Sequence, residues 1–137
     1  MGLAAVAAMG LWACGMDHGD EAEPTLTIVS PANGATVAGP RVLVRVSTTH
    51  FTYAGQALGK RAAAAHGDGE VTGGHVHLFL DKPDGLDANA VTSLTNGDTA
   101  TVTMAAGTHY LIAAGADVLH GDVASMRDSV AFTVTIP

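Results

Sequence analysis

Residues 41–47 read Arg-Val-Leu-Val-Arg-Val-Ser, which puts Val42, Val44 and Val46 on every second position and Arg41 and Arg45 between them. Side chains two apart share a face in an extended strand and scatter around a helix. This run therefore predicts a strand with one apolar and one charged face. The same period returns in Thr25-Leu26-Thr27-Ile28-Val29, in Ala100, Val102 and Met104, and in Val130, Phe132, Val134 and Ile136. Turn formers interrupt the alternation: Ser30-Pro31, Asn33-Gly34, Asn96-Gly97 and Ala106-Gly107 each favour a reversal of the chain.

Seven short strands are predicted: Thr25–Val29, Arg41–Ser47, His75–Asp81, Val91–Leu94, Thr99–Met104, Thr108–Ala114 and Ser129–Ile136. Residues 82–90 and 115–126 are predicted loops. Residues 48–74 show no period, apart from a helical turn expected over Lys60–His66. Strands spaced by turns, with no convincing helix, predict an all-β fold, an antiparallel immunoglobulin-like sandwich over residues 25–137. The cysteine pair and core tryptophan that mark true immunoglobulin domains are absent from this region. With one Trp, two Tyr and three Phe in 137 residues, the core must come from Val, Leu and Ile. A net charge of −7 leaves no basic stripe to neutralise phosphates, which argues against a nucleic-acid partner.

The N-terminus differs in kind. Residues 1–14, MGLAAVAAMGLWAC, carry no charge, and the acidic stretch MDHGDEAEP follows. The apolar run is shorter than the roughly 20 residues that span a bilayer and matches the apolar region of an export signal. Its end, Leu11-Trp12-Ala13-Cys14, resembles the lipobox of bacterial lipoproteins, in which the cysteine is lipidated and becomes the new N-terminus. Trp12 is unusual at its place, and the missing basic segment is what a start lying further upstream, or a fragment, would produce. The competing reading is a plain secretory signal with a leftover cysteine, or a mis-called start. Cys14 is the only cysteine, so no intrachain disulfide forms. An exported, lipid-anchored protein is expected, with residues 15–24 as an acidic tether.

Four short motifs occur in order along the rest: Ser30-Pro31-Ala-Asn-Gly34-Ala35-Thr-Val37, Gly74-His75-Val-His77-Leu-Phe-Leu-Asp81, Gly107-Thr-His109-Tyr-Leu111 and Asp117-Val-Leu-His120. In this set the chain resembles a family of small exported bacterial domains of uncharacterised function. The resemblance implies an immunoglobulin-like β-domain in the cell envelope and implies no activity. Val76 stands where many of those relatives carry a third consecutive histidine, so no site of three adjacent imidazoles is implied.

The histidines supply the chemistry. In an immunoglobulin arrangement, Arg41–Ser47, His75–Asp81, Thr108–Ala114 and Ser129–Ile136 take the places of strands B, C, F and G. The start of the His75 strand then lies beside the end of the Thr108 strand. His75 and His77, Asp117 and His120, His66 and Asp68, and His50 all fall at that pole. Imidazole suits copper and zinc. The expected ligands are His75, His77 and His120, with Asp117 or His66 as a fourth. In the competing reading the pair sits on the wet side of a sheet, because Val76, Leu78 and Leu80 are the better core residues. His109 should lie about 15–20 Å away, from its place along the strand, and act structurally. His18, in the tether, is incidental.

Three functions follow as expectations. The first is a non-enzymatic module that binds a metal ion or a small partner at this pole. The second is a structural domain that docks an envelope protein on the face of the His75–Asp81 strand. The third is a metalloenzyme, since His75-Val76-His77 also resembles the Gly-Phe-His-Val-His motif of copper-zinc superoxide dismutase. That assignment lacks the disulfide cysteines and the long zinc loop, and no catalytic triad or paired-carboxylate cleft replaces them. No catalytic residue is assigned.

Overall fold

The computed structural model describes residues 22–54, 74–82, 90–95 and 97–137. Among the described residues eight strands are formed: β1 (Thr25–Ser30), β2 (Thr36–Ala38), β3 (Arg41–Thr49), β4 (Gly74–Leu80), β5 (Thr92–Leu94), β6 (Thr99–Thr103), β7 (Gly107–Asp117) and β8 (Asp122–Thr135). They pack as two sheets, one ordered β1-β3-β6 and the other β2-β8-β7-β4-β5. This is the sandwich that the alternation predicts. Val42, Val44 and Val46 are buried while Arg41, Leu43 and Arg45 are exposed, as the period of two requires.

The space between the sheets is filled by Leu26 and Ile28 of β1, the three valines of β3, Val102 of β6, Val76 and Leu78 of β4, Leu111 and Ala113 of β7, and Met126, Val130, Phe132 and Val134 of β8. Burying one such Val, Leu or Phe contributes about 1.5–3 kcal/mol. That fixes the register of β4. A one-residue slip would turn Val76 and Leu78 outward and drive His75 and His77 into the apolar core.

Three expectations are corrected. An additional strand, β2, lies parallel to β8 through Val37 and Val134, so the sandwich is not wholly antiparallel. Three residues are too few to show a period. Residues 115–126 are not a loop: β7 runs to Asp117 and β8 starts at Asp122, leaving only 118–121 between them. The alanines and glycine of residues 113–116 have poor strand propensity, but position decides here, because β7 is hydrogen-bonded to β4 on one side and β8 on the other. The ladder shifts register between Ala114 and Ala116. A Cβ on Gly115 would sit 2.7 Å from the Met126 Cβ, so only glycine lets buried Met126 close over the irregularity.

The third correction concerns the wet side of the sheet. β4 is buried on both faces from Gly74 to Phe79. Phe79, Ile112 and Ala114 form a second apolar cluster on the face away from the main core, with Ala90 against it. His75 and His77 share that face with Phe79. The face is covered, so His75 and His77 do not stand on a solvated side of the sheet. The helical turn expected over Lys60–His66 lies outside the described residues.

Candidate metal centre

β4 and β7 run antiparallel with Gly74 opposite Asp117, His75 opposite Ala116 and His77 opposite Ala114. Directly opposed residues share a face of the sheet, so each imidazole stands beside a methyl group, which leaves the rings room. Gly74 makes the junction possible. A Cβ there would lie 2.1 Å from the Ala116 carbonyl oxygen and 2.9 Å from the Phe51 ring. Gly74 thus serves a close approach of two backbones at the pole.

On this frame the rings of His75 and His77 meet edge-on, centroids 4.5 Å apart, with their Nε2 atoms 2.8 Å from each other. An N–H···N hydrogen bond at that distance requires one ring to carry the Nε2 proton and the other the lone pair. The other nitrogen of His77, Nδ1, is 3.0 Å from the Ser93 hydroxyl. Ser93 is the β5 residue opposite His77. When Nδ1–H donates to Ser93 Oγ, the Nε2 lone pair of His77 faces the site, the arrangement found where a second residue orients a ligating histidine.

His120 completes the group from the turn between β7 and β8. Its ring centroid lies 4.7 Å from that of His75 and 6.0 Å from that of His77. One nitrogen from each of His75, His77 and His120 can be chosen such that all lie within 4.8 Å of one another. His75 and His77 are only 8% and 6% exposed, while His120 is exposed. Two nitrogens bound to one zinc at about 2.0–2.1 Å in tetrahedral geometry are separated by about 3.3 Å. The Nε2 pair must therefore open by about 0.5 Å to admit an ion, a displacement that small ring rotations supply. The donor set fits copper or zinc.

Asp117 is at the pole, but its carboxylate serves the turn. Oδ1 accepts from the amides of Leu119 and Gly121, both at 2.8 Å. The backbone closes the same loop, with Asp117 N–H donating to Gly121 O at 2.9 Å and His120 N–H donating to Asp117 O at 3.1 Å. These bonds hold His120 at a φ of 64°, a left-handed conformation that costs an L-residue roughly 1–2 kcal/mol. Asp117 thus positions His120, and it is not a member of the three-histidine group.

The other sequence candidates divide clearly. His66, Asp68, His18 and Cys14 lie outside the described residues. His50 follows β3 with a φ of 52° and is not in the group. His109 lies at the opposite end of β7, opposite Phe132, and is structural as expected. Its Nδ1 is 2.7 Å from Asp81 Oδ2, and its Nε2–H donates to the Ala105 carbonyl at 2.8 Å. The Asp81 bond, then the Ala105 bond, raise the pKa of His109 against the opposing effect of burial. Burial pushes the Asp81 carboxyl up, but the Tyr110 amide and His109 outweigh it and lower the net value. Ser93 escaped sequence reasoning because nothing local reveals which β5 residue faces His77.

No protein-family model matches the chain, and no curated protein matches it. Among solved structures, the fibronectin(III)-like modules of Clostridium thermocellum CbhA match with a TM-score of 0.52 at 14% identity. That match covers 83% of this chain, which spans 47% of the length of the other. A crystal structure of an engineered protein matches with a TM-score of 0.46 at 18% identity, over 82% of this chain and 20% of that one. The described strands and the CbhA likeness agree on one architecture, a fibronectin III-like β-sandwich within the immunoglobulin-like class.

Proposed function

We propose that this chain is an exported, lipid-anchored β-sandwich module that binds one copper or zinc ion through His75, His77 and His120 and carries out no catalysis of its own. One observation supports the metal reading above all others: three imidazole nitrogens from two separate segments lie within 4.8 Å of one another. Two of the rings are buried on a central strand. Three imidazoles converging in this way form a donor set that suits copper or zinc. The fold supports the role of a compact module that presents a site at one end.

Calorimetric titration of the chelated, tag-free full chain with Cu(II) and Zn(II) tests this. One ion should bind per chain, His75→Ala/His77→Ala should abolish saturable binding, and His120→Ala should weaken it. Equal binding by all three proteins, or no saturation near one ion per chain, rules the reading out. Export and anchoring rest on the uncharged run of residues 1–14 and on Cys14. Intact mass of the membrane-extracted protein should show diacylglycerol on Cys14 and loss of residues 1–13. A soluble product cleaved elsewhere contradicts the anchor.

A further inference from the structure

The three histidines approach their common point from unequal surroundings. His75 and His77 stand on the covered face of β4 and are buried, with Phe79 further along the same face, its ring centroid 6.0 Å from that of His77. His120 belongs to a turn in which Val118, Leu119, His120 and Gly121 are all exposed, Leu119 by 84%. One side of the site is therefore closed by the sheet, and the side carrying His120 reaches solvent.

The charge count is also unequal. Neutral imidazoles contribute lone pairs and no charge, so a divalent ion on His75, His77 and His120 keeps its full double positive charge. Copper and zinc take at least one donor beyond three. The Asp117 carboxylate at the head of the turn has Oδ1 on two backbone amides and is outside the three-histidine group.

We propose that the metal-loaded site takes up one small monodentate anion from solvent on the His120 side, either hydroxide from water or an added anion of the size of azide. This rests on the metal reading above. Among the described residues the site has three neutral nitrogens and an apolar wall, and the bound anion supplies a fourth donor and offsets part of the ion's charge. No bond of the anion is broken. The event is ligand exchange, with azide displacing water or hydroxide.

The test uses the full chain loaded with one equivalent of Cu(II), titrated with azide and followed by absorption and electron paramagnetic resonance. A new azide-to-copper charge-transfer band should grow to saturation at one azide per copper while the copper stays bound, and His66→Ala should give the same titration. In His120→Ala, added imidazole should fill the vacated position and restore the wild-type resonance spectrum. Copper that stays bound but is silent to saturating azide overturns this inference alone, because the chain then fills the fourth position. A response that first appears in His66→Ala identifies His66 as that donor and overturns it too. Failure of imidazole to restore the His120→Ala spectrum contradicts the placement of the opening. Failure of the wild-type chain to take up copper overturns this inference together with the metal reading.

Discussion

His75 Nε2 and His77 Nε2 are 2.8 Å apart, on two residues of one strand that is hydrogen-bonded to a neighbour on either side. Neither ring can move far without disturbing β4, so the pair is a preorganised half of the proposed site. Its outer support is Ser93, 3.0 Å from His77 Nδ1. Ser93→Ala removes the group that orients His77. Residues in that role are typically worth about 10–100-fold in metal affinity, and a loss in that range is expected by calorimetry, with little change in melting temperature. Unchanged affinity would show that Ser93 does not orient the ring.

Asp117 separates a positioning role from a ligating one. Asp117→Asn keeps a carbonyl oxygen that can accept from Leu119 and Gly121, so the turn and the metal affinity should stay close to wild type. Asp117→Ala removes both bonds and should free His120, lowering affinity about as much as His120→Ala does. If Asn and Ala variants lose metal equally, the carboxylate itself binds the ion.

The His109–Asp81 pair gives stability a pH dependence of known sign. His109 has a raised pKa, so its contribution is complete below about 6.5, the ordinary imidazole value, and is lost as pH rises through the higher folded value. Asp81 has a lowered pKa, so its contribution is present above about 3.9 and is lost as pH falls through the depressed one. The pair therefore stabilises most between about pH 4 and 6.5. The Asp81 side chain is 48% exposed, and solvent screening holds the effect to about 1 kcal/mol or less. From pH 5.5 to 8.5 the wild-type melting temperature should fall by a few degrees more than that of His109→Gln. Parallel curves would show that the pair contributes nothing.

Gly74→Ala tests the junction that seats His75. The added Cβ meets the Ala116 carbonyl oxygen at 2.1 Å, and backbone on both sides resists the shift. A destabilisation of about 1–3 kcal/mol is expected from overpacking, measured by urea denaturation. A neutral result would mean that β4 and β7 separate easily there.

Local pattern made the architecture legible. Alternation in β1, β3, β6 and β8 announces half-buried strands, and the shared face of His75 and His77 follows from the same period. The covered outer face of β4 was not legible, because burial of Phe79 on the side away from the core depends on what packs there and not on the order of residues. Residues 115 and 116 read as loop for a related reason. Small side chains carry no strand signal, yet Ala114 and Ala116 are what leave space for two imidazoles. His120 could be assigned to the pole from topology, whereas the clip that makes Asp117 a holder of the turn appears only when its oxygen is located. Ser93 depends on register across strands, which no local motif encodes.

X-ray absorption spectroscopy of the zinc-loaded full chain tests the central claim most directly. A nitrogen shell at about 2.0–2.1 Å with the multiple-scattering signature of three imidazoles is expected, falling to two in His120→Ala, with no bound zinc left to observe in His75→Ala/His77→Ala. A wild-type spectrum with one imidazole or none, or one that the substitutions leave unchanged, would contradict a metal centre built on His75, His77 and His120.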